Sequence, residues 1–108
     1  MSSRKFLGAL AIAVGLCSQA VAGPFEDGVA AARRGDFATA QQLWRPLAEQ
    51  GNTAAENNLG LMYYGGDGVK QDFAEALKWF RLAADHGDYR AQANLGQMYR
   101  IAQGVALD

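Results

Sequence analysis

The stretch DFATAQQLWRPLAEQGNTAAENNLGLMY at residues 36–63 returns 36 positions later, at residues 72–99, as DFAEALKWFRLAADHGDYRAQANLGQMY. Identical residues recur from the start of the two segments to their end. A fixed period of about 20 to 50 residues is typical of stacked repeats, in which each unit buries its apolar face against its neighbours. The period therefore indicates a repeat protein.

Each repeat unit is predicted to hold two helices, A and B, joined by a turn. In the complete unit, residues 52–87, helix A spans about residues 53–64 and helix B about residues 72–86. The glycine-rich segment 65–68 between them is predicted to be the turn. Apolar residues recur along both helices at the spacing of one helix face. The predicted fold is all-α, with antiparallel helix pairs stacked into an α-solenoid.

Helix B of the complete unit carries its own start and stop signals. Asp72 and Glu75 have the spacing of a reciprocal capping box, and Gly87 follows the last turn, where a left-handed residue is favoured. The aromatic residues of the B helices fall at helical spacing, so we expect them in the core. These residues are Phe37, Trp44, Phe73, Trp79 and Phe80.

The units on either side of the complete one depart from its pattern. The first unit, residues 23–51, has a turn that is four residues shorter, and Pro46 lies inside its helix B, where we expect a kink but no break. In the third unit, residues 88–108, the segment 104–105 repeats the turn and Asp108 takes the place of the helix B cap. The array therefore amounts to about two and a half units.

Two residue types inside helix A suggest contacts between helices. Gly60 and Gly96 each cost a helix interior about 1 kcal/mol relative to alanine, so we expect a neighbouring helix backbone to approach them closely. Asn58 and Asn94 lie beside the core leucines. We expect them to orient the chain between units through backbone hydrogen bonds in preference to contacting a ligand.

Residues 1–22 have the features of a secretory signal peptide: a basic start, an apolar run and small residues at positions 20–22. An uncleaved membrane anchor is the weaker alternative, because the apolar run falls short of the about 20 residues that span a bilayer. Lipidation at Cys17 is weaker still, because the bulky Leu16 precedes it. We expect cleavage after Ala22, export to the periplasm or the medium, and no stable membrane span afterwards.

The complete unit carries a dense motif that continues into the third unit. Its residues are Leu59, Gly60, Tyr63, Gly68, Asp72, Ala76, Trp79, Ala83, Ala84 and Gly87, followed by Leu95, Gly96 and Tyr99. The motif resembles the Sel1-like repeat, a longer-looped relative of the tetratricopeptide repeat. The resemblance implies a right-handed superhelix whose concave side is lined by the A helices, and it implies exported bacterial adaptors rather than catalysts. Some exported members are cysteine-rich and linked to β-lactam binding, whereas residues 23–108 contain no cysteine.

The composition of residues 23–108 argues against several functions. They carry 8 basic and 11 acidic residues, whereas nucleic-acid binding needs clustered positive charge. They contain no serine and no cysteine, which excludes Ser or Cys nucleophiles and an acylating Ser-x-x-Lys motif. His86 is the only histidine, and its place in the last turn of helix B explains it without metal or acid–base chemistry. We therefore expect no enzyme activity, no cofactor and no metal.

Candidate partner-binding residues follow from the geometry of helix A. Asn57, Leu61 and Tyr64 share one helix face, and Gln97 and Arg100 hold equivalent positions in the next helix A. In a repeat superhelix this face lines the groove, and tyrosine and arginine are enriched where proteins bind one another. The sequence thus predicts a non-catalytic interaction module that binds a peptide or protein in this groove.

Several alternatives stay open at this point. The protein could be an accessory of cell-wall or β-lactam metabolism, as some related cysteine-rich proteins are, or a purely structural fragment. The helix A of the third unit has no predicted helix B beside it. Its outer flank is therefore expected to be covered by a second copy or by a partner, unless the sequence is a truncated gene product.

Overall fold

Five helices and no strand form the part of the chain that the structure describes. The structure is a computed structural model that describes residues 23–107, with side chains to residue 102. The helices are α1 (Pro24–Arg33), α2 (Phe37–Glu49), α3 (Thr53–Gly65), α4 (Phe73–Asp85) and α5 (Tyr89–Leu107). The predicted all-α repeat array is confirmed, while the predicted signal peptide lies outside the described residues. None of the described helices is long and apolar enough to cross a membrane.

Every helix after α1 is preceded by an asparagine or aspartate that caps it. The carbonyl or carboxylate oxygens of Asp36, Asn52, Asp72 and Asp88 accept hydrogen bonds from the backbone N–H groups of Thr39, Ala55, Glu75 and Ala91, at 3.2, 2.9, 3.1 and 3.3 Å. Each bond satisfies an N–H group that the first turn of a helix leaves without an intrahelical partner. Sequence and caps therefore share the 36-residue period.

The predicted capping box at Asp72 is only half formed. Asp72 caps α4, but no hydrogen bond joins the Glu75 carboxylate to the Asp72 N–H; that carboxylate lies 4.0 Å from Lys78 Nζ instead. The second hydrogen bond of a capping box, from the cap N–H to a glutamate three residues on, is made at the start of α1. There the Glu26 carboxylate accepts from the N–H of Gly23 at 3.1 Å. The reciprocal prediction was wrong because the lysine one turn on competes for the carboxylate.

Pro46 lies inside α2 without ending it. The helix runs from Phe37 to Glu49, so the predicted absence of a break is confirmed. Trp44 and Ala48, on either side of the proline, are buried. Burial of this apolar stripe offsets the cost of about 3 kcal/mol that an interior proline imposes.

The turn of the complete unit packs onto the first unit. Gly66 and Gly68 both have φ of 72°, in the left-handed region that favours glycine. A Cβ atom on Gly68 would lie 2.6 Å from the Cβ of Phe37, well inside contact distance. Only glycine therefore lets this turn cover the start of α2.

Consecutive helices pack on one another and share one core. Its buried residues are Ala31, Ala40, Trp44, Ala48, Ala55, Leu59, Met62 and Trp79. The same hydrogen bond joins each B helix to the next A helix: Arg45 donates to the hydroxyl of Tyr63 at 2.6 Å, and Arg81 donates to that of Tyr99. Because the two pairs are 36 residues apart, α5 packs on α4 in the same way as α3 packs on α2.

The third unit differs from the prediction because α5 has no turn. The helix continues to Leu107, past positions 104–105 where the turn was expected. Ala102 stands where the complete unit has Gly66, the left-handed glycine that ends α3. A good helix former at that position lets the helix continue. Asp108, the expected cap, lies outside the described residues.

Candidate functional site

The A helices border a groove whose first part lies between α1 and α3. A cavity of about 330 Å³ opens there. Its lining includes Val29, Ala32 and Arg33 from α1, Trp44 from α2, and Asn58, Leu61 and Met62 from α3. The lining is mainly apolar, and its polar side chains are those of Arg33, Asn58 and Asp67.

The second part of the groove lies between α3 and α5. Here a smaller cavity of about 130 Å³ is lined by Leu61, Tyr64, Phe80, Asn94, Gln97 and Met98. Phe80 and Asn94 follow Trp44 and Asn58 of the first cavity by 36 residues each. The two cavities are therefore one feature repeated. Leu61 lines both, and we call the joined surface the A-helix groove.

Three of the five predicted partner-binding residues meet in this groove. Leu61, Tyr64 and Gln97 line the second cavity together. Leu61 is 44% exposed, an unusual amount for a leucine in mid-helix, and it lies where the two cavities join. Arg100 is exposed but lines neither cavity.

Asn57 lies in an interhelical contact instead of the groove surface. It is 3% exposed, and its Oδ1 accepts a hydrogen bond from Nδ2 of Asn94 at 3.0 Å. We had expected Asn58 and Asn94 to bond to the backbone between units. The bond is between side chains and uses Asn57, which leaves Asn58 half-buried in the wall of the first cavity. The sequence alone does not say which of the two adjacent asparagines contacts the neighbouring helix.

A buried carboxylate that the sequence did not reveal lies at the other end of α3. Glu56 is 2% exposed, and its Oε1 lies 2.9 Å from Nδ1 of His86. In the sequence, Glu56 has the pattern of an ordinary acidic residue in the first turn of a helix. Only the packing of α4 buries it. Within the described residues, no group of three His, Cys, Asp or Glu could hold a metal ion. The contact between Glu56 and His86 joins the end of α4 to the start of α3.

The repeat-signature residues occupy packing, cap and turn positions. Buried are Leu59, Gly60, Ala76, Trp79 and Ala83; half-buried are Tyr63, Ala84 and Leu95; exposed are Gly68, Asp72, Gly87, Gly96 and Tyr99. None of them lines the two groove cavities. The residues of the repeat motif are thus distinct from those that line the A-helix groove.

Phe73 is the exception among the aromatic residues of the B helices. It was expected in the core but is 55% exposed, and its ring packs against that of Tyr64 at a tilt of 56°, with 5.5 Å between centroids. The cavity beside it, about 420 Å³, is lined by Tyr64, Phe73, Met98, Ile101 and Ala102. The equivalent Phe37 is covered by the turn at Gly68. The prediction was wrong because that cover comes from the following unit, where α5 makes no turn.

The cap of α5 carries the clearest electrostatic feature. Burial alone would raise the pKa of Asp88, but hydrogen bonds from the Arg90 side chain and from the N–H groups of Ala91 and Arg90 outweigh it and lower that pKa. The ion pair between Arg90 and Asp88 spans 3.2 Å. The Asp88 carboxylate is therefore a charged cap at the start of α5.

Comparisons with known proteins agree with this architecture. The model of the Sel1 repeat matches residues 23–52, 53–88 and 90–108. A Sel1 repeat protein from Oxalobacter formigenes is 37% identical with a TM-score of 0.56, over 57% of this chain and 26% of its own. A protective antigen of uropathogenic Escherichia coli with an SLR fold is 44% identical with a TM-score of 0.57, over 58% of this chain and 14% of its own. A search of curated proteins found no match.

The match covers only a small part of each of the two solved structures. This chain spans 26% of one and 14% of the other, so the likeness concerns the repeat and not the whole protein. The family model, by contrast, matches nearly all of residues 23–108 in three consecutive units. The repeated caps and the helix pairs have the same period. The chain belongs to the Sel1 repeat family.

Proposed function

We propose that this protein is a non-catalytic binding module that holds an extended segment of another protein in its A-helix groove. The observation that carries the proposal is the continuity of the groove, since two repeat-related cavities meet at the exposed Leu61. Family members generally act in protein–protein interaction, which supports the same conclusion. A groove made of two joined cavities suits an extended chain better than a compact ligand.

The polar groups of the groove favour a peptide backbone as the ligand. Asn58 has an amide in the wall of the first cavity, and Asn94, whose Nδ2 is used by Asn57, keeps its Oδ1 for the second. An amide both donates and accepts hydrogen bonds, as does each peptide unit of an extended chain. Apolar side chains of the ligand would then lie against Leu61 and Met62.

The test is selection of peptides from a displayed random library on the full chain, followed by affinity measurement with fluorescence anisotropy. We expect selected peptides to bind Leu61→Glu at least about ten-fold more weakly, because a charge would enter the apolar middle of the groove. The matched control is Leu82→Glu, since Leu82 is a similarly exposed leucine (36%) on α4 and lines neither groove cavity. An equal loss of peptide affinity in both variants, or no enrichment of peptides, would refute binding in the A-helix groove.

Export is the second part of the proposal, and it rests on the leader pattern of residues 1–22. We propose that the mature protein begins at Gly23 and acts in the periplasm or outside the cell. Fractionation of bacteria that express the full gene, with N-terminal sequencing of the product, tests it. A product that retains Met1 and stays with the cytosol would contradict export without affecting the groove.

A further inference from the structure

Two glycines show which residues of α1 and α3 are equivalent. A Cβ on Gly28 would lie 2.3 Å from Nε1 of Trp44, and a Cβ on Gly60 would lie 2.5 Å from Cδ1 of Phe80. In both helix pairs, therefore, an aromatic ring of helix B lies against the backbone of helix A. The close approach expected at Gly60 is thus made by a ring and not by a helix backbone. At Gly96 no described atom beyond the helix's own backbone comes within 4 Å of a Cβ.

The two cavities of the A-helix groove differ by one aromatic ring. Residues of α1 precede their equivalents in α3 by 32 positions, as Gly28 precedes Gly60. Ala32 of the first cavity is therefore equivalent to Tyr64 of the second. Without that ring the first cavity has a volume of about 330 Å³, against about 130 Å³ for the second.

Phe37 lacks the aromatic partner that its equivalent has. In the complete unit, the rings of Tyr64 and Phe73 pack at a tilt of 56°, with 5.5 Å between centroids. Phe37 precedes Phe73 by 36 residues and lines the first cavity together with Ala32. The turn at Gly68 comes closest to the Cβ and the backbone of Phe37, not to its ring. The first cavity thus has room for one ring beside Phe37.

The other walls of the first cavity suit an apolar ring. Nε1 of Trp44 donates a hydrogen bond to the carbonyl oxygen of Phe25 at 3.0 Å, so the indole offers a ligand no free N–H group. Val29, Leu61 and Met62 add aliphatic and thioether surface. Aromatic rings gain from burial against such surfaces and from tilted contact with another ring.

Arg33 gives the first cavity a charge that the second does not have. It is the last residue of α1 and lines the cavity, whereas its equivalent in α3 is Gly65. It forms no ion pair with a described residue, so its guanidinium can bind a carboxylate of the ligand. Asp67 lines the same cavity, so one acidic residue suits this surface better than an acidic run.

We propose that the first cavity is a specificity pocket for one aromatic side chain of the bound segment, with an acidic residue beside it in the ligand sequence. The ring would pack against Phe37 as Tyr64 packs against Phe73, and the carboxylate would pair with Arg33. The smaller second cavity, where Tyr64 supplies the ring, would take a smaller side chain. The inference rests on the proposed function, because it specifies the segment that the A-helix groove binds.

Segments of this chain itself fit the pocket less well. Residues 1–22 contain one aromatic residue, Phe6, and no acidic residue. Every aromatic residue that the structure describes lies in a helix, so a second copy presents none of them in an extended segment. The aromatic residue is therefore assigned to a different protein.

The test starts from the peptides that a displayed random library yields on the full chain and measures their affinities by fluorescence anisotropy. We expect each enriched peptide to hold an aromatic residue whose replacement by alanine weakens binding at least about ten-fold. Ala32→Tyr supplies the missing ring, so it should weaken the parent peptide equally and leave the alanine-substituted peptide unchanged. The matched control is Ala38→Tyr, at an exposed alanine of α2 that lines neither groove cavity.

A second measurement needs no protein variant. Met62 lines the first cavity, and its equivalent Met98 lines the second. In a chain isotope-labelled at its methionine methyl groups, the ring current of a bound aromatic side chain should shift the Met62 signal more than the Met98 signal. The alanine-substituted peptide should not produce this difference.

The acidic requirement is tested at two adjacent arginines. Arg33→Gln should weaken peptides with an acidic residue beside the aromatic one by about two- to five-fold at low salt. Arg34→Gln is the matched control, because the dipole of α1 favours a cation at either position and only Arg33 lines the cavity. Equal effects of the two variants would remove the acidic residue from the proposal.

The remaining outcomes separate this inference from the groove. Peptides that depend on Leu61 but bind Ala32→Tyr as tightly as the wild type would overturn the aromatic pocket and leave the groove in place. If the library yields no peptides, the groove and the pocket both fail. A dimer in sedimentation that Ala32→Tyr dissociates would assign the pocket to a second copy.

Discussion

Helices α3 and α5 share one sequence pattern but differ in burial. Leu59 is fully buried and Leu95 only half-buried, while Gly60 is buried and Gly96 exposed. The cause is α4, which packs on α3; within the described residues no helix packs on the side of α5 that carries Gly96. The comparison teaches that the burial of helix A is supplied by the helix B that follows it.

The two helices also differ in their polar residues. Helix α3 buries Glu56 and Asn57, and each has a specific partner on a later element, His86 at the end of α4 and Asn94 on α5. The equivalent positions of α5 are Gln92 and Ala93, both exposed. Buried polar groups need hydrogen-bond partners and exposed ones do not. Substitution of equivalent residues should therefore have unequal effects, which the following experiments compare.

The largest difference is expected for Gly60→Ala against Gly96→Ala. The first forces a Cβ against the buried Phe80 ring and should cost about 1–3 kcal/mol of unfolding free energy. The second meets no atom outside the nearby backbone of its own helix and should gain about 0.5–1 kcal/mol, because alanine is the better helix former. Urea denaturation followed by circular dichroism measures both. Effects of the same sign would show that Phe80 yields or that Gly96 is covered in solution.

The next comparison removes one partner of the buried carboxylate. His86→Ala leaves Glu56 buried without its hydrogen bond and should lower the unfolding free energy by about 1–3 kcal/mol. Gln92→Ala, at the position equivalent to Glu56, should change it by less than about 0.5 kcal/mol, since Gln92 is exposed. If both variants unfold at the same urea concentration as the wild type, the pair does not contribute to stability.

A smaller contrast is expected between the two tyrosine hydroxyls. Tyr63→Phe removes a partly buried bond from Arg45 and should cost about 1 kcal/mol. Tyr99→Phe removes the equivalent bond from Arg81 at an exposed site and should cost about 0.5 kcal/mol or less. Thermal unfolding of both variants provides the measurement. A larger loss for Tyr99→Phe would mean that the hydroxyl of Tyr99 is better shielded from solvent than its exposure in the structure indicates.

The smallest effect on stability is expected for the helix caps. Asn52 caps α3, and Asp88, 36 residues later, caps α5. The pKa of Asp88 is lowered in the folded state, so its contribution is present above the ordinary aspartate pKa and is lost as the pH falls through the folded value. Asp88→Asn should remove this acid sensitivity from α5 while keeping a cap. Hydrogen exchange of α5 amides at neutral and acid pH checks it; unchanged pH dependence would contradict the assignment.

Much of the fold could be predicted from sequence because its signals are local. The 36-residue period, the caps at Asp36 and Asp72 and the terminating Gly87 depend on a few neighbouring residues each, and the structure has them all. The missing turn of α5 also has a local signal, the replacement of Gly66 by Ala102, but the repeat period hid it. The groove followed from helical geometry as far as Leu61, Tyr64 and Gln97.

The errors in burial share one physical cause, which is that neighbours distant in sequence decide whether a side chain is covered. Asn57 and Asn58 look alike in the sequence, yet contact with Asn94 buries one and leaves the other in the groove wall. Phe73 follows the apolar pattern of a core residue, but the unit that would cover it makes no turn. Local pattern assigns a face to a residue and does not say whether another element covers that face.

The sequence by itself determined the repeat, the helix pairs and their caps, because these depend on period and on short-range hydrogen bonding. Tertiary structure decided which copies of the motif are buried. Glu56 acquired a buried partner in His86 and Gly60 acquired the Phe80 ring, since α4 lies against α3. Gly96 carries the same motif and stays open, because burial is a property of packed pairs of helices and not of one helix.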